Sequence, residues 1–197
     1  MKVLILEACR SPEIIKGNTE ASVLSKDFAR DGIPFEIYSN DGIWESCVEI
    51  SRSLLSELLR NPVVSIVHLA VHGGEEGLVL RWSKDAAIRD RMPPEILTPS
   101  DIRSMREWNE KMVVSGACSS ASLAPDFLAA GATAVVAPAI EVPWSRIGLF
   151  FRSFYLVYRR SAEPEGALAE AVLQYPEYRS YRVFRGEGKV AAAETNA

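Results

Sequence analysis

The sequence predicts an α/β fold, a mostly parallel sheet with helices on both faces, built as one domain. Three observations carry that prediction. Short apolar runs alternate with segments of helical periodicity along the 197 residues, the pattern of repeated strand-helix-strand units. The runs Val3 to Ala8, Val63 to Val71 and Thr133 to Pro138 are apolar at most positions rather than at alternate ones, as expected of strands buried on both faces. Gly, Pro, Asn and Asp clusters separate the runs, as turns require.

The elements follow in order. Val3 to Ala8 is the first predicted strand, and Arg10 to Asn18 is turn-like. Asn18 and Thr19 can cap a helix running to about Arg30, which Asp31-Gly32 ends. Phe35 to Tyr38 is the second strand. Beyond the Asn40-Asp41-Gly42 turn, Trp44, Val48, Ser51, Leu54, Leu55 and Leu58 recur at helical spacing up to Arg60. Asn61-Pro62 stops that helix, because proline lacks an amide donor and disfavours the helical region for its predecessor. Val63 to Val71 is the third strand, followed by a hairpin around Gly77 to Trp82 and a charged loop from Ser83 to Leu97. Thr98-Pro99-Ser100-Asp101 starts a helix predicted to reach Trp108. Lys111 to Ser115 is the fourth strand, Pro125 to Ala130 a brief helix closed by Gly131, and Thr133 to Pro138 the fifth strand. Helices over Arg146 to Tyr158 and Glu165 to Gln174 and a last strand over Tyr178 to Arg185 complete a domain at 1–188, with a flexible tail at 189–197.

The bulk composition narrows the function. With 48% hydrophobic residues the chain can bury one good core. A net charge of -4 offers no basic surface for phosphates, so no nucleic-acid partner is expected. No apolar run reaches the ~18 residues of a membrane-spanning helix. The chain has three cysteines, no Cys-x-x-Cys pair and no signal-peptide cleavage pattern at MKVLILEACRS. Reduced thiols in a cytoplasm are therefore expected.

In a parallel sheet reactive groups gather at the carboxyl ends of strands. Cys9 follows the first strand, His72 the third and Cys118 the fourth. Neighbouring strands lie about 5 Å apart, so His72 and Cys118 face one another if the third and fourth strands are adjacent. A cysteine with a pKa of about 8.5 is little ionised near neutrality, and an imidazole beside it supplies the missing base. Gly73, Gly74 and the Cys118 amide suit an oxyanion hole, since glycine lets the backbone approach a substrate closely.

The segments IVHLAVHGG and VVSGACSSA resemble the two signature blocks of the CHAT family of caspase-like cysteine peptidases. FLAAGATAVVAPAIEVPW, FFRSFYLVY and EGALAEAV resemble further blocks of that family, and LTPSDIRSM stands where the family has a helix. The resemblance covers about Val63 to Gly186. It implies a caspase-like three-layer sandwich, with His72 as catalytic base, Cys118 as nucleophile, Gly73 as an oxyanion donor together with the Cys118 amide, and His68 as a structural histidine. It also implies a bacterial setting in regulated proteolysis, cell death or antiphage defence. The chain departs from the family at Gly116, where serine is usual, and in the short loop after Cys118.

Competing assignments fit less well. His68 and His72 on one strand stand roughly 13 Å apart, too far to share a zinc ion, so no metal and no cofactor are expected. An α/β-hydrolase or papain-like order puts the histidine after the nucleophile, whereas both histidines here precede Cys118. A catalytically silent binding or scaffold module is the non-enzyme alternative. The pocket for the substrate residue before the cut draws on Arg10, Glu7, Gly116, Asp126, Glu141 and Trp144. The charged stretch Arg81 to Arg106 is read as a cleavable activation segment of a zymogen. A protein substrate and an activating protease or regulatory partner acting in trans are the expected partners.

Overall fold

The computed structural model describes residues 1–8, 19–39, 50–81 and 93–186. Its centre is a sheet ordered β2-β1-β3-β6-β7-β8, made of Lys2–Ala8 (β1), Phe35–Ser39 (β2), Val64–Gly74 (β3), Met112–Ser115 (β6), Ala134–Pro138 (β7) and Tyr181–Arg185 (β8). Neighbours pair in parallel except β7 with β8, which run antiparallel. Gly77–Arg81 (β4) and Glu95–Leu97 (β5) form a small antiparallel extension on the carboxyl end of β3.

The strands carry apolar residues toward both faces, and each face has its own core. Helices α1 (Glu20–Asp31), α5 (Ile147–Ser161) and α6 (Pro164–Gln174) cover one face, where Leu24, Phe28, Phe150, Phe154 and Ala167 pack on Val3, Ile5, Ile66 and Val136. Helices α2 (Arg52–Leu59), α3 (Pro99–Ser104) and α4 (Ala124–Ala129) cover the other, where Leu55, Ile102 and Phe127 pack on Leu4, Val67, Leu69 and Val113. This is the three-layer arrangement expected of a caspase-like fold.

The local chemistry of the helix ends explains where the elements begin. Thr19 accepts the Ser22 amide at 3.2 Å, and Gly32 closes α1 in the left-handed region at φ 65°. Thr98 and Asp101 cap α3 reciprocally, a capping box with proline in the first turn. Several boundaries differ from the sequence prediction. The second helix begins at Arg52, because Ser51 turns its hydroxyl to the Leu54 amide and acts as the cap instead of lying inside the helix; Trp44 and Val48 lie outside the described residues. The helix predicted to reach Trp108 breaks at Met105, whose extended backbone leads into a single 3-10 turn over Arg106–Trp108. A 3-10 turn over Ser120–Leu123 precedes α4, and another over Pro176–Tyr178 delays the last strand. The tail at 189–197 lies outside the described residues.

Candidate active site

Strand β3 continues past Val71 through His72 to Gly74, because these residues pair with β4, His72 opposite Val79 and Gly73 opposite Leu78. Strands β3 and β6 are adjacent and parallel, with Leu69 opposite Ser115. Cys118 follows three residues past Ser115, in the turn beyond the end of β6, as His72 follows three residues past Leu69. Side chains alternate along a strand, so His72 shares the α1/α5 face with His68, whose ring meets Phe151 and Tyr155 there. Cys118 packs in part against the same cluster.

The two loops touch. A Cβ placed on Gly73 would lie 2.9 Å from Cβ of Ala117, and neither Gly73 nor Gly116 has a positive φ. Gly73 is therefore a contact glycine that lets the strand bearing the histidine lie against the turn bearing the cysteine. That turn is held by its own hydroxyls. Ser115 Oγ accepts the Ala117 amide at 3.2 Å, and Ser120 Oγ lies 2.8 Å from Ser115 Oγ and 2.7 Å from the Ala117 carbonyl. Gly116 donates to the Leu69 carbonyl at 2.9 Å, and Ser119 adopts a left-handed conformation while its amide bonds to the Ile140 carbonyl at 3.3 Å.

The stretch after β7 contacts both reactive side chains. The Cys118 thiol bonds to the Val142 carbonyl at 4.0 Å. The His72 imidazole packs on the Trp144 indole with ring centroids 5.0 Å apart. Partial burial of the imidazole lowers its pKa below the ordinary 6.5, which keeps it neutral and free to accept a proton at pH 7. No hydrogen bond joins His72 to Cys118 among the described residues; each partner is held by the Val142–Trp144 segment instead. Such bonds are often loose in a ligand-free site.

Near the pair lies a buried polar group of which sequence reasoning named only His68, as a structural histidine, and missed Glu20 and Tyr155. His68 is fully enclosed, with Nε2 2.7 Å from Glu20 Oε1 and Nδ1 3.0 Å from the Tyr155 hydroxyl. Burial, and next the Glu20 charge, raise the Tyr155 pKa well above its usual value. Tyr181 is raised likewise by burial, then by Glu20, Tyr178 and Cys118.

The profile of the CHAT domain matches residues 40–185, which includes both loops. The chain belongs to the CHAT-domain family. CHAT domains form a caspase-like cysteine peptidase family, and the three-layer geometry agrees. Among solved structures, the complex of Porphyromonas gingivalis RgpB pro- and mature domains superposes with a TM-score of 0.62 at 10% identity, over 94% of this chain and 47% of that one. The Arg-specific cysteine proteinase gingipain R (RgpB) superposes with a TM-score of 0.58 at 12% identity, over 94% of this chain and 46% of that one. The CHAT chain thus spans about half the length of each of these structures. At such identities the likeness is one of fold. No curated protein sequence matches the chain.

Within this CHAT fold the other predicted site residues take varied places. Gly116 begins the cysteine turn, Trp144 packs on the imidazole, and Glu141 is exposed three residues before Trp144. Glu7 and Asp126 require correction as pocket residues. Glu7 is buried at the end of β1 and accepts the Ala21 amide at 3.0 Å, so it anchors the start of α1. Asp126 belongs to α4 on the opposite face, where Arg103 holds it at 2.5 Å. Arg10 and Cys9 lie outside the described residues. Within the stretch Arg81 to Arg106, Glu95–Leu97 and Pro99–Ser104 are a strand and a helix, and Arg81 bonds to the Pro93 carbonyl at 2.9 Å. Residues 82–92 of that stretch lie outside the described residues. No cluster of three metal-ligating side chains occurs among the described residues. No helix among them is long and apolar enough to cross a membrane.

Proposed function

We propose that this CHAT domain is a cysteine endopeptidase that cleaves protein substrates through Cys118 and His72, without a cofactor. The observation that supports the reading is the contact at Gly73 and Ala117 between the strand bearing His72 and the turn bearing Cys118, with β3 and β6 adjacent. His72 takes the thiol proton as Sγ leaves the Val142 carbonyl and attacks the substrate carbonyl carbon. The amides of Gly73 and Cys118 receive the developing oxyanion. The C–N bond breaks as His72 returns the proton to the departing amine, leaving a thioester on Cys118. Water, deprotonated by His72, then hydrolyses the thioester and frees the enzyme. Glu141 and Trp144 flank the approach to the residue before the cut.

The family resemblance supports a bacterial role in regulated proteolysis or antiphage cell death; reduced thiols suit a cytoplasm, and cleavage between Arg81 and Arg106 by an activating protease, or a regulatory partner in trans, would be the switch. A peptide-library digest tests the chemistry directly. The wild-type chain is expected to yield discrete cleavages that vanish in Cys118→Ala and fall by about a thousandfold or more in His72→Ala. Equal labelling of Cys118 by a thiol-directed peptide electrophile with and without His72, and no cleavage by the wild type, would support instead the silent binding module. The resting thiol's bond to Val142 is the feature that favours that second reading.

A further inference from the structure

Gly116 is a glycine that its backbone does not demand. Its φ is not positive, and a serine at this place is the usual choice in the family it resembles. The constraint is a contact. A Cβ on Gly116 would lie 2.6 Å and 2.7 Å from the two carboxylate oxygens of Glu20, closer than such atoms approach one another.

Glu20 is itself immobilised. It is the first residue of α1, and its side chain is 0% exposed. Oε1 is held by His68 at 2.7 Å, and His68 is held in turn by Tyr155 at 3.0 Å and by the edge of Phe151, with ring centroids 4.7 Å apart. The adjoining amide of Ala21 is tied to Glu7. Oε2, the oxygen nearest Gly116, has no hydrogen-bond partner among the described residues. A buried carboxylate oxygen without a partner is costly and is kept for a reason. A carboxylate needed only to pair with His68 has no cause to press on the cysteine turn.

From these contacts we infer that Glu20 is a positioning residue for the nucleophile. Its carboxylate is the floor on which the Gly116–Cys118 turn rests, and His68 and Tyr155 fix the height of that floor. The opposite side of the turn is fixed by Ser115 and Ser120, so the turn is clamped between a carboxylate below and hydroxyls above. The catalytic consequence rests on the peptidase reading; the clamp itself does not.

The test combines Gly116→Ala, Glu20→Asp and their double variant, each checked for folding by thermal melting. Two quantities are read: kcat and KM for peptide-library cleavage, and amide hydrogen exchange of the peptide covering residues 112–123. Gly116→Ala is expected to lower kcat by about tenfold or more with a smaller change in KM. It should also speed exchange at Gly116 to Ser120 by about tenfold. Glu20→Asp withdraws the carboxylate by one methylene and should speed the same exchange. In the double variant the shorter acid makes room for the added methyl, so kcat recovers at least about fivefold over Gly116→Ala alone. Independent, multiplicative effects of the two substitutions would overturn the inference. So would exchange changes confined to α1 and β3 with 116–120 unaffected. Exchange in the two single variants decides the matter where the double variant does not fold. Absence of cleavage by the wild type would count against the peptidase reading alone, because the exchange arm needs no turnover.

Discussion

Gly73 shows at the scale of one residue how close contact, rather than backbone conformation, dictates side-chain choice. In Gly73→Ala the new methyl would meet Ala117 Cβ at 2.9 Å and Leu78 Cδ2 at 3.0 Å. The expected cost is about 1–3 kcal/mol of stability, measured by urea unfolding, with a larger loss of peptide cleavage because the cysteine turn is what must yield. Trp144 packs on the His72 ring and is part of what covers it. Burial lowers the imidazole pKa, so the neutral base survives to lower pH and the acid limb of kcat/KM should fall below pH 6.5. Trp144→Ala uncovers the partly exposed ring further and should move that limb upward toward 6.5, measured as a pH profile. The residues named from sequence motifs were those whose spacing follows strand ends, His72 and Cys118. Glu20 was not legible, since an acid at the start of a helix is ordinary. Only the glycine at 116 hinted that something occupied the space of a side chain. Glu7 and Asp126 were misplaced because charge at a strand or helix end does not reveal which neighbour satisfies it.

Among the elements, caps were the most readable feature. Thr19, Thr98 and Gly32 end or begin helices as their side-chain oxygens and backbone freedom require. Thr98→Ala removes the acceptor for the Asp101 amide at 3.2 Å and should destabilise the chain by about 1 kcal/mol in urea unfolding. What stayed hidden were the pieces too short for periodicity to register: the three-residue β5 and the single 3-10 turns at 106–108, 120–123 and 176–178. The extension of β3 through His72 was hidden for another reason. A Gly-Gly pair reads as a turn, and only pairing with β4 makes it strand. His72 is in consequence carried on a rigid ladder instead of a free loop, which suits a base that must keep one position.

Over the whole molecule, one sheet joins two cores, so damage on either face should be felt as a single transition. Leu55→Ala lies on one face and Phe154→Ala on the other, both side chains fully buried. Each should lower stability by about 2–5 kcal/mol. Far- and near-ultraviolet circular dichroism should continue to report one coincident unfolding curve; separate transitions for the two variants would show that the faces fold apart. Alternating apolar runs and helices were enough to foresee the layers. The reversal of β8 was not foreseeable, because an antiparallel partner reached from α6 through a short turn has no signature in apolar spacing. That outermost described strand ends in Arg185, which grips Glu165 at 2.6 Å and Glu163 at 3.0 Å. A foreign backbone seeking to lengthen the sheet along this margin meets a fence of paired ions, which discourages docking. Concentrated electrolyte shortens the reach of such charges from about 8 Å to about 3 Å, so clumping of the purified chain in strong brine should start here, with its interior still intact.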